Sequence, residues 1–95
     1  MLIQVSLFGY SNSEETVCRV NEEAAVEIAK QLRLRDIGGI IIIDFVDMKE
    51  TENMDKVIET LKRQSIKDRS RVQIKGFTKL NLLECTRKHI SINIE

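Results

Sequence analysis

The chain has no proline and no tryptophan, a single histidine, two cysteines and four glycines. Each shortage excludes something. Without proline, or any Gly/Ser-rich stretch, no linker or domain seam is marked, so residues 1–95 read as one small domain. Cys18 and Cys85 form no C-x-x-C, which removes the usual zinc and dithiol motifs and fits a reducing compartment. No apolar run approaches the ~18 residues of a membrane span, and no signal-peptide core is present. The expected location is the cytoplasm, with no membrane partner. The glycines make no G-x-G-x-x-G or G-K-(S/T) phosphate loop. His89 lies among basic residues, and no Ser/His/Asp or thiol–imidazole set can be assembled around it.

What is present is an uneven distribution of charge. The formal net charge is zero. Residues 1–61 nevertheless hold six Lys or Arg against twelve Asp or Glu, whereas residues 62–88 hold nine against two. Such a split suits a reader of phosphate polymers that also needs a cation, and equally two solvated faces with no partner.

The hydrophobic pattern gives the order β-α-β-α-β with a β-rich tail. Ile3, Val5 and Leu7 alternate within residues 2–8, as a strand requires. Ser13 can cap a helix whose stripe is Val17, Val20, Ala24, Ile28 and Leu32; Asn21 is an alternative start. Gly38 or Gly39 is expected to stop that helix. The four isoleucines Ile40–Ile43 predict a strand over 40–46 buried on both faces. Met54, Val57, Ile58 and Leu61 predict a second helix, with Thr51 or Asn53 as its cap. Val72 and Ile74 mark a third strand. Residues 80–88 could be strand or short helix. Ile90, Ile92 and Ile94 could form an edge strand or an interface between two copies. The predicted fold class is α/β: a small layered domain with a mainly parallel sheet covered by two helices.

Asp44 closes the isoleucine strand. In open α/β sheets ligands gather at the carboxyl ends of parallel strands, so Asp44 could hold Mg²⁺, act as a base, or only take the solvated strand end. Asp47 would share an ion with it only if the strand ended between them. Phe77, within "IKGFTK", could stack on a base or pack in the core.

The stretch "EEAAVEIAKQLRLRDIGGIIIIDFVDM" resembles the central block of the ribonuclease E/G family, in which a helix leads through D-x-G-G into a strand ending I-D-F-(I/V)-D-M. Downstream, "KDRSRVQIKGFTKLNLLECTRK" is similar to that family's next segment, and the likeness runs from roughly Glu15 to Lys88. The resemblance implies a deoxyribonuclease I-like subdomain of a cytoplasmic endoribonuclease that cuts single-stranded RNA and leaves a 5′-phosphate. It implies Mg²⁺, or Mn²⁺ in its place, on Asp44, and no usual ligand role for Asp47. It places Arg71 near the pocket for the RNA 5′-phosphate. Arg69, Arg71, Lys75, Arg87 and Lys88 are the expected contacts to the RNA backbone.

Two positions depart from the family. Where it carries I-D-(I/V)-N, this chain reads "IQVS", with Gln4 in place of the second metal aspartate and Ser6 in place of the asparagine. The family's amino-terminal RNA-binding domain and its zinc-linking C-P-x-C pair have no counterpart in these residues. Two readings follow. The chain is the metal-bearing subdomain of such an endoribonuclease, weak or inactive alone, or it is a non-catalytic RNA-binding or protein-interaction module of that descent.

Overall fold

A computed structural model describes residues 1–9 and 12–88. Tyr10, His89 and the Ile90/Ile92/Ile94 strip lie outside the described residues. The elements run β1 (Leu2–Gln4), α1 (Glu14–Leu34), β2 (Gly39–Asp44), α2 (Thr51–Ser65), β3 (Arg71–Phe77) and β4 (Leu83–Lys88). The strands form one sheet in the order β1-β2-β4-β3. The architecture is α/β, with two helices on a four-stranded sheet.

The sheet is mixed rather than mainly parallel. β1 and β2 are parallel neighbours, but β4 runs antiparallel to both β2 and β3. The crossover through α2 therefore skips one strand position, and the β3–β4 hairpin folds back to fill it. A bulge at Ile74/Gly76 bends β3; Gly76, at φ +114°, supplies the backbone shape that a side chain resists.

Ser13 caps α1 as its sequence suggests, its hydroxyl accepting from the Thr16 N–H at 3.1 Å. The helix ends before the glycines. Asp36 takes the left-handed position at φ +47°, with Ile37 N–H donating to Leu32 O and Asp36 N–H to Arg33 O. This Schellman motif satisfies two terminal carbonyls and sets Ile37 near Leu32. Gly39, at φ +96°, opens β2 instead.

The core lies between the helices and one face of the sheet. Ile41, Ile43, Phe45, Leu83 and Cys85 pack there against Cys18, Ala25, Ala29, Leu32, Val57 and Leu61. The isoleucine strand is thus covered on one face only: Ile41 and Ile43 are fully buried, while Ile40 is 68% exposed. Four successive β-branched residues signalled two covered faces, but both helices lie on the same side and leave the other open.

Asn21 does not start a helix. It sits within α1, fully buried, where its amide nitrogen donates to Val46 O at 2.8 Å and its oxygen accepts the Val46 N–H at 3.1 Å. The side chain thus acts as a one-residue strand partner for the backbone just beyond β2. Neither Thr51 nor Asn53 caps α2, whose N-cap position, Glu50, makes no side-chain bond. Glu14 of α1 instead holds the chain just ahead of α2, accepting from the Lys49 and Glu50 N–H groups, and reaches its first turn through the Asn53 side-chain amide. At the other end Arg33 of α1 donates to Gln64 O at 3.3 Å. The two helices run side by side in the same direction, with α1 closing both ends of α2.

Arg87 is buried on the helix side at 4% exposure. Its Nε and Nη2 clasp Asp68 at 2.8 and 3.0 Å, and its Nη1 reaches Asp36 at 2.8 Å and Ile37 O at 3.2 Å. Asp68, whose side chain is also 4% exposed, accepts the Ser70 N–H at 2.9 Å. One guanidinium therefore ties β4 to the α1–β2 turn and the α2–β3 turn. The Arg87 hydrogen bonds hold the Asp68 carboxyl below its ordinary value, and Asp68 raises Arg87 in return.

Replacing Asn21 by Leu removes the partner of two backbone groups and should cost about 2 kcal/mol, read as a lowered urea midpoint. An unchanged midpoint would refute the strand-partner role. Glu14 is held below its ordinary value by the Asn53 amide and the backbone of Lys49 and Glu50, as Asp68 is by Arg87. Both depressed values add stability that is complete above the ordinary carboxylate range and lost as pH falls through the folded-state values. Melting temperature should therefore fall steeply below about pH 4, and Glu14→Gln should make that fall shallower.

Candidate functional site

Alternation along the strands assigns the open face. Opposite the buried Ile41, Ile43 and Phe45, β2 presents Ile40, Ile42 and Asp44. Register adds Leu2 and Gln4 from β1, Glu84, Thr86 and Lys88 from β4, and Arg71 and Gln73 from β3. Among the described residues no helix covers these side chains.

One end of the face is acidic. Asp44, half-buried at the end of β2, is the direct register partner of Gln4 on the parallel neighbour. Its carbonyl accepts the Val5 N–H at 2.9 Å, which extends the parallel pairing past β1. Val5 and Leu7 pack toward the core, so the exposed Ser6 falls on the Gln4 side. Gln4 and Ser6 thus lie on the Asp44 side of the sheet. Asp47 is exposed beyond the strand end. Among the described residues, no three His, Cys, Asp or Glu side chains gather as a metal cluster. One carboxylate and one neutral amide oxygen fit Mg²⁺ only as a partial shell, completed by water and a substrate phosphate.

The other end is basic. Arg71 and Lys88 are direct partners across β3 and β4, and together with Gly39, Ile40, Gln73, Thr86 and Arg87 they line a shallow depression of about 300 Å³. Lys75 is drawn onto this surface, its Nζ donating to Gln73 Oε1 at 3.3 Å. Leu83 to Lys88 is five steps along the six residues of β4, so roughly 17 Å separates the Asp44 end from the Arg71–Lys88 pair.

Two expected RNA contacts do not join that pair. Arg87 faces the core and its N–H groups are committed to Asp68, Asp36 and Ile37, because odd spacing along β4 turns it away from Thr86 and Lys88. Arg69 is exposed in the α2–β3 turn, lining a separate hollow with Arg33, Lys67 and Asp68. Phe77 packs in the core against Phe45, ring centroids 6.3 Å apart at 55°. The cysteines stay protonated: burial raises both thiols, Cys85 to about 11.

Pattern reading missed the hairpin turn between β3 and β4. Because Ile43 pairs with Leu83, this turn brings the exposed Lys79 and Leu80 to the Asp44 end, where Phe8, 93% exposed, also stands. Only the antiparallel placement of β4 reveals it.

The model of the Ribonuclease E/G family matches residues 5–90, longer at both ends than the block legible by eye and starting one residue after Gln4. Ribonuclease G of Haemophilus influenzae is 45% identical over 87 residues, and Ribonuclease E of Synechocystis is 48% identical over 84. A chloroplastic Ribonuclease E/G-like protein of Arabidopsis thaliana is 44% identical over 85 residues. These alignments take in 88–92% of this chain but only 8–18% of each relative, so the chain spans less than a fifth of their length. A match over nearly the whole chain, with the I-D-F-V-D-M strand end at Asp44, makes this chain a member of the ribonuclease E/G family.

Proposed function

We propose that the chain is the metal-bearing, RNA-contacting subdomain of a ribonuclease E/G-type endoribonuclease, acting in RNA processing in the cytoplasm, with weak or no cleavage by itself. The observation that carries this is the placement of Asp44 and the Arg71–Lys88 pair at opposite ends of one uncovered sheet face. Family membership supports RNA as the ligand. Single-stranded RNA lies along β4, its phosphates held by Arg71, Lys75 and Lys88 and its scissile region at Asp44. Arg71 serves the RNA 5′-phosphate, and Arg69 meets the backbone beyond the sheet edge. Asp44, assisted by the Gln4 amide oxygen, would hold Mg²⁺, or Mn²⁺ in its place. Held there, such an ion would supply charge stabilisation at the phosphodiester and a positioned water, the chemistry that a cut leaving a 5′-phosphate needs.

Gln4 sets the activity of the isolated chain. A neutral amide replaces an anion beside the ion; at 4 Å and an effective dielectric of 20, a unit charge pair is worth roughly 4 kcal/mol before solvent competition. This same substitution favours the second reading, a non-catalytic RNA-binding module.

Manganese separates the two readings. Sub-stoichiometric Mn²⁺ should broaden amide signals selectively at Gln4 and Ile43–Asp44; diffuse broadening over all acidic residues would remove the metal site. Gln4→Asp with Ser6→Asn should create metal-dependent cleavage that Asp44→Ala abolishes, and an inert double variant counts for the non-catalytic module.

RNA affinity should fall with salt. Four backbone contacts, at Arg69, Arg71, Lys75 and Lys88, predict a slope of about −3 in log K against log salt, at roughly 0.7 per contact for single strands. A flat response would sink the RNA reading.

A further inference from the structure

We infer that Asp68 and Arg87 are positioning residues for RNA contact: their buried ion pair holds Arg71 opposite Lys88 on the far side of the sheet. This rests on the RNA reading above. Arg87 and Lys88 are successive residues of β4 that point to opposite faces, and their register partners are Val72 and Arg71. Whatever fixes Arg87 from the helix side therefore fixes the backbone from which Lys88 and Arg71 project.

The clamp acts at the right place in the chain. Asp68 receives both arms of the Arg87 guanidinium, at 2.8 and 3.0 Å, and also accepts the Ser70 N–H at 2.9 Å. Ser70 immediately precedes Arg71. The carboxylate therefore shapes the turn entering β3 while anchoring it to β4. The third arm, to Asp36 and Ile37 O, joins the same guanidinium to the turn entering β2, whose Gly39 and Ile40 complete the depression. With both partners at 4% exposure, neither is free to contact a phosphate itself. Their paired fork has a fixed geometry that a single point charge would not impose.

A double-mutant cycle tests this, using a labelled single-stranded oligoadenylate of about ten nucleotides. Arg71→Ala should weaken binding about five-fold in the native background and lower the salt slope by about 0.7. In Asp68→Asn, whose fold is checked by its amide spectrum, the slope should already be lower and Arg71→Ala should cost nothing further. If the Asp68→Asn spectrum collapses, Arg87→Lys takes its place, keeping the charge without the fork. Equal costs of Arg71→Ala in both backgrounds would overturn the positioning role while leaving the RNA reading intact. No effect of Arg71→Ala or Lys88→Ala in the native background would overturn both. A purely structural ion pair would lower the melting temperature without coupling to Arg71.

Discussion

The open face owes its layout to the two hydrogen bonds between Asn21 and the backbone of Val46. Beyond Asp44 the chain has no strand neighbour on the helix side, and its polar groups would otherwise enter the core unpaired. A carboxamide offers one donor and one acceptor at nearly the spacing of a peptide group, so it can stand in for a missing strand. This lets β2 end at Asp44 while Phe45 still packs inward. The carboxylate is thereby left at a strand terminus, on the side where no helix intervenes.

The one-sided sheet has an electrostatic consequence. Opposite charges sit at the two ends of a surface roughly 17 Å long, with Ile40, Ile42 and Leu2 between them. Zero net charge therefore hides the separation of Asp44 from the Arg71–Lys88 pair along the strands, with Lys79 as a further cation near the Asp44 end. A polyanion crossing this face meets attraction at the Arg71–Lys88 end and needs a cation at the Asp44 end. Binding and chemistry can thus make separate demands on one surface.

Much of this was legible in the sequence, for reasons particular to each element. Ser13 followed by two glutamates is a local signal and proved local. The Met54–Leu61 stripe marks α2 because its periodicity depends only on which face is buried. Asn21, Glu14, Asp36 and Arg87 read differently, since each takes its role from a residue distant in the chain. Asn21 looks like a cap and is a strand surrogate; Glu14 looks like first-turn decoration and anchors the chain entering another helix. Arg87 looks like one more cation in a basic run. Only its inward register on β4 distinguishes it from Lys88, and that register depends on pairing with two other strands. The position of Asp44 at a strand end follows from its own strand, but its open surroundings follow from both helices sharing one side.

The bonds between the helices also bear on the order in which the chain assembles. A helix of 15 residues is marginal in water, and α2 has no side-chain cap at Glu50. The chain entering it, at Lys49 and Glu50, and the Asn53 amide of its first turn gain their acceptor only when Glu14, 35 residues upstream of Lys49, arrives with α1. α1 carries its own cap and its own Schellman stop, so it can gain helicity early and alone. Consolidation of α2 then becomes coupled to docking of the helix pair, and the N-terminal turn of α2 would be among the later structures to form.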